Sequence, residues 1–156
     1  MQNKNSAMLN KRTVQILRNL LGGKNNLWTT IVQYSYQVPF LDLPLSKMLN
    51  TIVEHKLEST DEISRIIISL GAKPYIENGK GIPWSTRFID YTSDPLVFIK
   101  DNIKETEILI ANIHYAISHV DDEDIKNTLQ NILETEKDHI EEFNHILRKI
   151  ENSGSQ

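Results

Sequence analysis

The chain has 156 residues, of which 39% are hydrophobic and 24% charged, with a formal net charge of −4 and no cysteine. These values fit one soluble globular domain over residues 1–156. The net charge and the lack of a basic cluster argue against a nucleic-acid partner, and the lack of cysteine excludes disulfides and thiolate metal sites. The polar N-terminus and the lack of a long apolar run predict neither a signal peptide nor a membrane span, so we expect a cytoplasmic protein.

The first helical segment lies between residues 8 and 38, where apolar residues recur at helical spacing. Gly22 and Gly23 lie within it and allow a short helix followed by a longer one. Pro39 ends the segment, because proline cannot continue a helix. We therefore predict the longer helix at about residues 26–38.

The second helix is predicted over residues 44–70. Pro44 suits a first helical turn, and Gly71 is well placed as a C-terminal cap. Its apolar stripe is interrupted at two positions by polar residues, Lys56 and Ser59. Both side chains are thus predicted to face the interior.

Residues 72–93 show no helical period and are rich in glycine, proline and polar residues. Trp84, Phe88 and Tyr91 are interspersed among them. We predict a long ordered connection held in place by these aromatic side chains, as in a bundle with one crossover.

Two further helices follow. Asp94 and Pro95 are a helix-start signal, and the third helix is predicted at 95–120 with Thr106 in its apolar stripe. An acidic turn leads into the fourth helix, predicted at 122–150, and residues 152–156 are expected to form a disordered tail. No segment alternates strictly as a strand does, so the fold class predicted is all-α: an antiparallel four-helix bundle with a crossover between helices two and three.

The fourth helix carries two polar residues in its core stripe, Glu136 and His139. Folding should carry both towards the bundle interior. A buried carboxylate needs a cation, a proton or a strong hydrogen bond. Glu-x-x-His on an inward helix face is also the ligand pattern of di-iron and di-manganese bundles.

The sequence resembles the ferritin-like superfamily, which includes bacterioferritin, rubrerythrin and the manganese-catalase-like spore coat proteins. The resemblance covers most of residues 14–150, and the order and spacing of its pieces support it. These pieces are Leu21-Gly22-Gly23, Gln33-Tyr34-Ser35-Tyr36-Gln37, Arg65-Ile66, Leu70-Gly71-Ala72-Lys73-Pro74, and Glu136-Lys137-Asp138-His139 with Phe143 and Leu147.

The resemblance implies metal ligands at one depth of the bundle: Glu on helix one, Glu-x-x-His on helix two, Glu on helix three and Glu-x-x-His on helix four. This sequence has Leu27 at the first position, Lys56 and Ser59 at the second pair, and Thr106 at the third. Only helix four keeps the full pattern, as Glu136 and His139. These six positions form the vestigial ligand layer that the resemblance implies.

Our first hypothesis is therefore a ferritin-like bundle that has largely lost its dimetal centre and has a binding or structural role, with no cofactor and no catalytic residue. We expect the Lys56 ammonium to lie within salt-bridge reach of Glu136, with Ser59 or Thr106 adding a hydrogen bond.

The second hypothesis is an iron- or manganese-dependent oxidoreductase or iron-storage protein. Its metal ligands would be Glu136, His139 and Glu107, together with His55 and Glu58 if helix two is aligned one residue away. That alignment turns both residues about 100° off the core face. Glu105 is assigned to a solvated flank of helix three.

Two expectations concern partners. Trp28, Phe40, Trp84 and Phe88 supply more aromatic surface than a small bundle needs to bury, which predicts a homodimer. A small cavity between the helices could also take an organic ligand in place of metals, although the sequence does not identify that ligand.

Overall fold

The computed structural model describes residues 2–154, with side chains from residue 6 onward. Five α-helices account for most of it: α1 Gln2–Gly22, α2 Leu27–Gln37, α3 Leu45–Ser69, α4 Pro95–His119 and α5 Glu123–Gly154. In this part of the chain there is no β-strand, only an isolated bridge between Glu77 and Pro83. None of the helices described here is both long and apolar enough to cross a membrane.

Helices α1 and α2 together occupy one position of a four-helix bundle. The buried core forms two clusters. The first cluster joins α1 to α3, α4 and α5 through Leu17, Ile67, Ile113 and Leu129. The second cluster joins α2 to the other ends of the same three helices through Ile31, Leu49, Phe98 and Phe143. The break at residues 23–26 thus lies between the two halves of one interrupted helix.

The same clusters fix the directions of the helices. The C-terminal halves of α3 and α4 and the N-terminal half of α5 all pack in the first cluster. The pairs α2–α3 and α4–α5 are therefore antiparallel, whereas α3 and α4 are parallel. Parallel neighbours require a connection that returns along the bundle, and residues 70–94 provide it. The predicted all-α four-helix bundle with a crossover between its second and third helices, here α3 and α4, is confirmed.

The crossover is fastened to the outer side of α1 and α2. Arg18 donates two hydrogen bonds to the Lys73 carbonyl oxygen, at 2.8 and 3.0 Å. Further along, the Trp84 indole N–H donates to the Thr29 hydroxyl at 2.9 Å. The Asp90 backbone N–H donates to the side-chain oxygen of Gln33 at 2.8 Å. These contacts give a long non-helical segment a defined path.

Helix boundaries agree with the predicted ones within a few residues for α2, α3 and α4. Two differences are larger. Helix α1 begins at Gln2, ahead of the periodic segment that starts near residue 8. With 21 residues it is longer than α2, which has 11, so the expected order of a short helix followed by a longer one is wrong. Helix α5 continues to Gly154, so three residues of the expected tail are helical, and residues 155–156 lie outside the described part of the chain.

Candidate functional site

All six positions of the ligand layer are buried where the helices converge between the two core clusters. Their exposed fractions are 4% or less. One comes from α2, two from α3, one from α4 and two from α5: Leu27, Lys56, Ser59, Thr106, Glu136 and His139.

The centre of this layer is an ion pair between Lys56 and Glu136. The Lys56 Nζ lies 2.9 Å from Glu136 Oε2 and 3.1 Å from Oε1, and both side chains are fully buried. The ammonium also lies 5.3 Å from the centre of the Tyr34 ring, close enough for a cation–π contact. The predicted salt bridge is present, and it neutralises the buried carboxylate.

The charge state of Glu136 follows from these contacts. Burial raises the pKa of the carboxyl, but the Lys56 ammonium and hydrogen bonds from His139 and Lys56 outweigh that effect and lower the pKa to about 2. Glu136 is therefore ionised at neutral pH, and the pair is a true ion pair.

His139 connects Glu136 to a second imidazole. Its Nδ1 lies 3.3 Å from Glu136 Oε2, and its Nε2 lies 3.2 Å from Nδ1 of His55. Burial lowers the pKa of His139 more than Glu136 raises it, so the ring is neutral at physiological pH. An ionised carboxylate only accepts, so Nδ1 of His139 carries the proton, and His55 donates to Nε2. The hydrogen bonds thus run from half-buried His55 to buried Glu136.

We expected Ser59 or Thr106 to add a hydrogen bond to the Lys56–Glu136 pair, but both hydroxyl groups bond to backbone oxygens instead. Ser59 donates to the backbone oxygen of His55 at 3.1 Å, and Thr106 donates to that of Asn102 at 2.7 Å. A hydroxyl on a helix readily bonds the carbonyl one turn earlier, and here that local bond prevails. Thr106 also contacts the hydroxyl of buried Tyr34 at 3.4 Å.

Glu105 is half-buried and bonded to Gln33 of α2, so its assignment to an exposed flank is wrong. Its two oxygens accept from the side-chain nitrogen of Gln33 at 2.7 and 2.8 Å. Partial burial raises the pKa of this carboxyl, although the Gln33 hydrogen bond opposes the rise. Gln33 lies on α2 and bonds both Glu105 and the crossover. The sequence did not predict these bonds, because a single glutamine among apolar residues does not indicate which distant residue it contacts.

A second buried polar pair was also missed. Gln37 and Asn102 exchange hydrogen bonds between their side-chain amides, at 3.1 and 2.6 Å, and both are 1% exposed or less. The pair links α2 to α4 inside the second core cluster. The available signal was the position of Asn102 four residues before Thr106, on the same helix face.

Among the remaining candidate ligands, His55 contacts the layer through its hydrogen bond to His139. Glu58 and Glu107 are exposed, and His55 is half-buried. Glu58 and His55 line a groove of about 630 Å³ between α3 and α5, where His139 forms part of the wall. The groove edge also carries the acidic residues Glu62, Asp138, Glu141 and Glu142.

The donor set does not fit a dimetal centre. A leucine supplies no ligand at position 27, an ammonium occupies the centre, and Glu136 is already paired with it. Within residues 2–154, no three His, Asp or Glu side chains come together in a way that could hold a metal ion. Two ligands alone seldom hold a divalent metal against water.

Comparisons with known proteins identify the fold. The family model of the ferritin-like domain matches residues 15–153. The chain is 24% identical to a probable manganese catalase of Clostridium acetobutylicum, covering 94% of this chain and 75% of that protein. Two crystal structures of KatB, a manganese catalase from Anabaena, superpose with TM-scores of 0.86 and 0.84 at 19% identity, and each match covers 90% of this chain and 73% of KatB.

Proposed function

The chain belongs to the ferritin-like domain family, and we propose that it is a member in which the Lys56–Glu136 ion pair has taken the place of a dimetal centre. Its role would then be binding or structural and not catalytic. The observation that carries this proposal is the fully buried Lys56 ammonium 2.9 Å from Glu136.

The electrostatic reason is direct. A divalent cation at this depth would be repelled by the ammonium, and it would have to compete with that ammonium for the same carboxylate. The charge that a metal brings to a ring of carboxylates is supplied here by one side chain. Burying the two charges together costs desolvation, so the pair need not add net stability.

The rival function is metal-dependent oxidoreductase chemistry or iron storage, in keeping with its similarity to a probable manganese catalase and to the manganese catalase KatB. It would need Glu107 and Glu58 to join Glu136, His139 and His55 around iron or manganese. The exposure of Glu58 and Glu107 favours the first proposal.

Metal content separates the two functions. The full chain would be produced in medium supplemented with iron and manganese, purified, dialysed against chelator and measured by elemental analysis. We expect far less than one equivalent of any transition metal. A stoichiometric metal that survives the chelator would overturn the proposal and support the rival.

Restoring the ligands gives a second test. The variant Leu27→Glu/Lys56→Glu/Ser59→His/Thr106→Glu places the family's ligand types at all six positions and should bind two iron or manganese ions. The matched control keeps Lys56 and carries the other three substitutions; it should bind no metal, because the ammonium stays at the centre. Metal binding by the control would contradict the role given to Lys56.

A further inference from the structure

A second concave site lies on another side of the bundle, away from the ligand layer. It has a volume of about 510 Å³ and is formed by α1, the crossover turn at residues 78–82 and α4. We call it the Arg12–Lys80 pocket. The residues used in the argument below are Arg12, Ile16, Leu20, Lys80, Ile82 and Tyr115.

The turn that forms one wall is held firmly. The side-chain oxygen of Asn78 accepts hydrogen bonds from the backbone N–H groups of Lys80 and Ile82, both at 2.9 Å. The Gly79 N–H donates to the side-chain oxygen of Asn19 on α1 at 3.3 Å. The wall is therefore fixed before any ligand arrives, which lowers the ordering cost of binding.

The two charged residues that line the pocket are both cations. Arg12 and Lys80 line it, and none of its lining residues is Asp or Glu. Neither cation makes an ion pair or hydrogen bond within the described residues. In a chain with a net charge of −4, two unpaired cations facing one cavity without a carboxylate form a local site for an anion.

Four of the other nine lining residues are apolar or aromatic, and the remaining five are Gln15, Asn19, Asn78, Gly79 and Asn112. Ile82 is 56% exposed and Tyr115 is 55% exposed, although both are large hydrophobic residues. Half-buried Ile16 and buried Leu20 complete this surface. An inorganic anion would leave it uncovered, whereas an organic molecule of suitable size would bury it.

We propose that the Arg12–Lys80 pocket binds a small organic acid, with a carboxylate or phosphate group between the two cations and an apolar or aromatic body against Ile82 and Tyr115. Arginine donates to either anion through paired N–H groups, and lysine adds a flexible ammonium. The site is separate from the Lys56–Glu136 layer, so its test does not depend on whether the chain binds metal.

Nuclear magnetic resonance titration of the labelled full chain tests the proposal with four probes. Phenyl phosphate and phenylacetate carry both an anion and a ring, phenylacetamide lacks the charge, and inorganic phosphate lacks the ring. We expect saturable shifts at the Gly79 and Asn112 amides with the first two probes. The last two should bind at least tenfold more weakly. Whichever of phenyl phosphate and phenylacetate binds more tightly identifies the preferred anion.

Two matched variants complete the experiment. Arg12→Gln/Lys80→Gln should weaken binding of both aromatic anions at least tenfold. Lys47→Gln/Arg148→Gln changes the net charge equally at exposed positions outside the pocket and should leave binding unchanged. Equal losses in both variants would overturn the proposal, as would inorganic phosphate binding as tightly as phenyl phosphate.

Tyr115→Ala keeps both cations and tests the apolar wall separately. It should weaken phenyl phosphate binding and leave inorganic phosphate binding unchanged. An unaltered affinity for phenyl phosphate would contradict the proposed contact between the ligand's apolar body and Tyr115. Circular dichroism would establish that each variant folds.

Discussion

At the residue scale, Lys56 is the side chain on which the interior of this protein depends most. Its ammonium is buried because the Glu136 carboxylate, the Tyr34 ring and the surrounding helices leave it no path to water. A buried charge is tolerated only while its partner is present. Removing one partner therefore lowers the free energy of unfolding by more than the intact pair contributes to it.

Replacing Lys56 by methionine should therefore leave Glu136 buried and unpaired. We expect Lys56→Met to lower the free energy of unfolding by about 3–5 kcal/mol at pH 7.5, measured by urea denaturation. Adding Glu136→Gln removes the stranded charge and should recover part of the loss. If Lys56→Met unfolds with a free energy within about 1 kcal/mol of the wild type, the stability of the interior does not depend on the ion pair.

His139 predicts how stability depends on pH near neutrality. Burial lowers its pKa in the folded protein below the ordinary value of 6.5, so the unfolded chain binds a proton more readily. The contribution of His139 is then present above pH 6.5 and is lost as the pH falls below it.

Denaturation midpoints at pH 7.5 and 5.5 should accordingly decrease with acid, and His139→Gln should reduce the decrease. His145 is exposed, and His145→Gln provides the control that should leave the decrease intact. Glu136 adds a second pH dependence at lower pH, because its pKa falls from 4.5 to about 2 on folding. Its contribution to the free energy of unfolding is therefore lost as the pH falls from 4.5 to about 2. Equal pH dependence in the wild type and His139→Gln would contradict this account.

At the element scale, apolar spacing was enough to predict that helices form and roughly where they end, but less able to predict which face of α4 is buried. The apolar period predicted for this helix contains Leu96, Ile99, Ile103, Thr106, Ile110, Ile113 and Ile117, and only Ile99, Thr106 and Ile113 of these are buried. Elsewhere Leu109 is buried, while Ile110 is only half-buried. Leucine and isoleucine occur side by side on this helix, so spacings of three and four allow two adjacent faces, and only the packing of neighbouring helices selects one.

The positions of the polar residues in the ligand layer could be predicted from the sequence, whereas the environment of Glu105 could not. Residues 56, 59, 136 and 139 interrupt clear apolar stripes, and an interrupted stripe is visible in one sequence. The environment of Glu105 depends on Gln33 from another helix and on the crossover that covers both. That contact joins residues 72 positions apart, which no local pattern records.

The crossover and α1 meet closely at Gly22. A Cβ atom at this position would lie 2.6 Å from the Glu77 backbone oxygen and 2.7 Å from its carbonyl carbon, so the backbone would have to move. We expect Gly22→Ala to lower the free energy of unfolding by about 1–3 kcal/mol, measured by urea denaturation. Gly154→Ala meets nothing within 4 Å and should be nearly neutral. Equal effects at both positions would contradict the close approach.

At the scale of the whole molecule, the aromatic residues that led us to expect a homodimer divide into two groups. Trp28, Trp84 and Phe88 are half-buried, and Trp84 is bonded to α2. Phe40 is 42% exposed and joins Tyr36 and Tyr91 in an aromatic surface cluster, with ring centres 5.2 and 5.1 Å from that of Tyr36. We therefore predict that this cluster, and not the half-buried residues, forms the dimer interface.

We predict a homodimer at micromolar concentrations, measured by light scattering of the full chain. Phe40→Ser/Tyr91→Ser should shift it to the monomer, because both exposed rings are removed from the proposed contact. Ile68→Ser removes another exposed apolar residue, on α3, and should leave the dimer intact. A wild-type chain that remains monomeric would contradict the prediction.

The polar pairs inside the bundle also determine how far its helices can slide along one another. Apolar stripes pack almost equally well after a shift of one helical turn, about 5.4 Å. That shift would part Lys56 from Glu136 and Gln37 from Asn102, leaving charges and amides stranded in an apolar interior. A buried polar residue fixes the register of a coiled coil in the same way. A chain with both pairs replaced by apolar residues should therefore stay helical but occupy several alignments, seen as broadened and multiplied amide resonances.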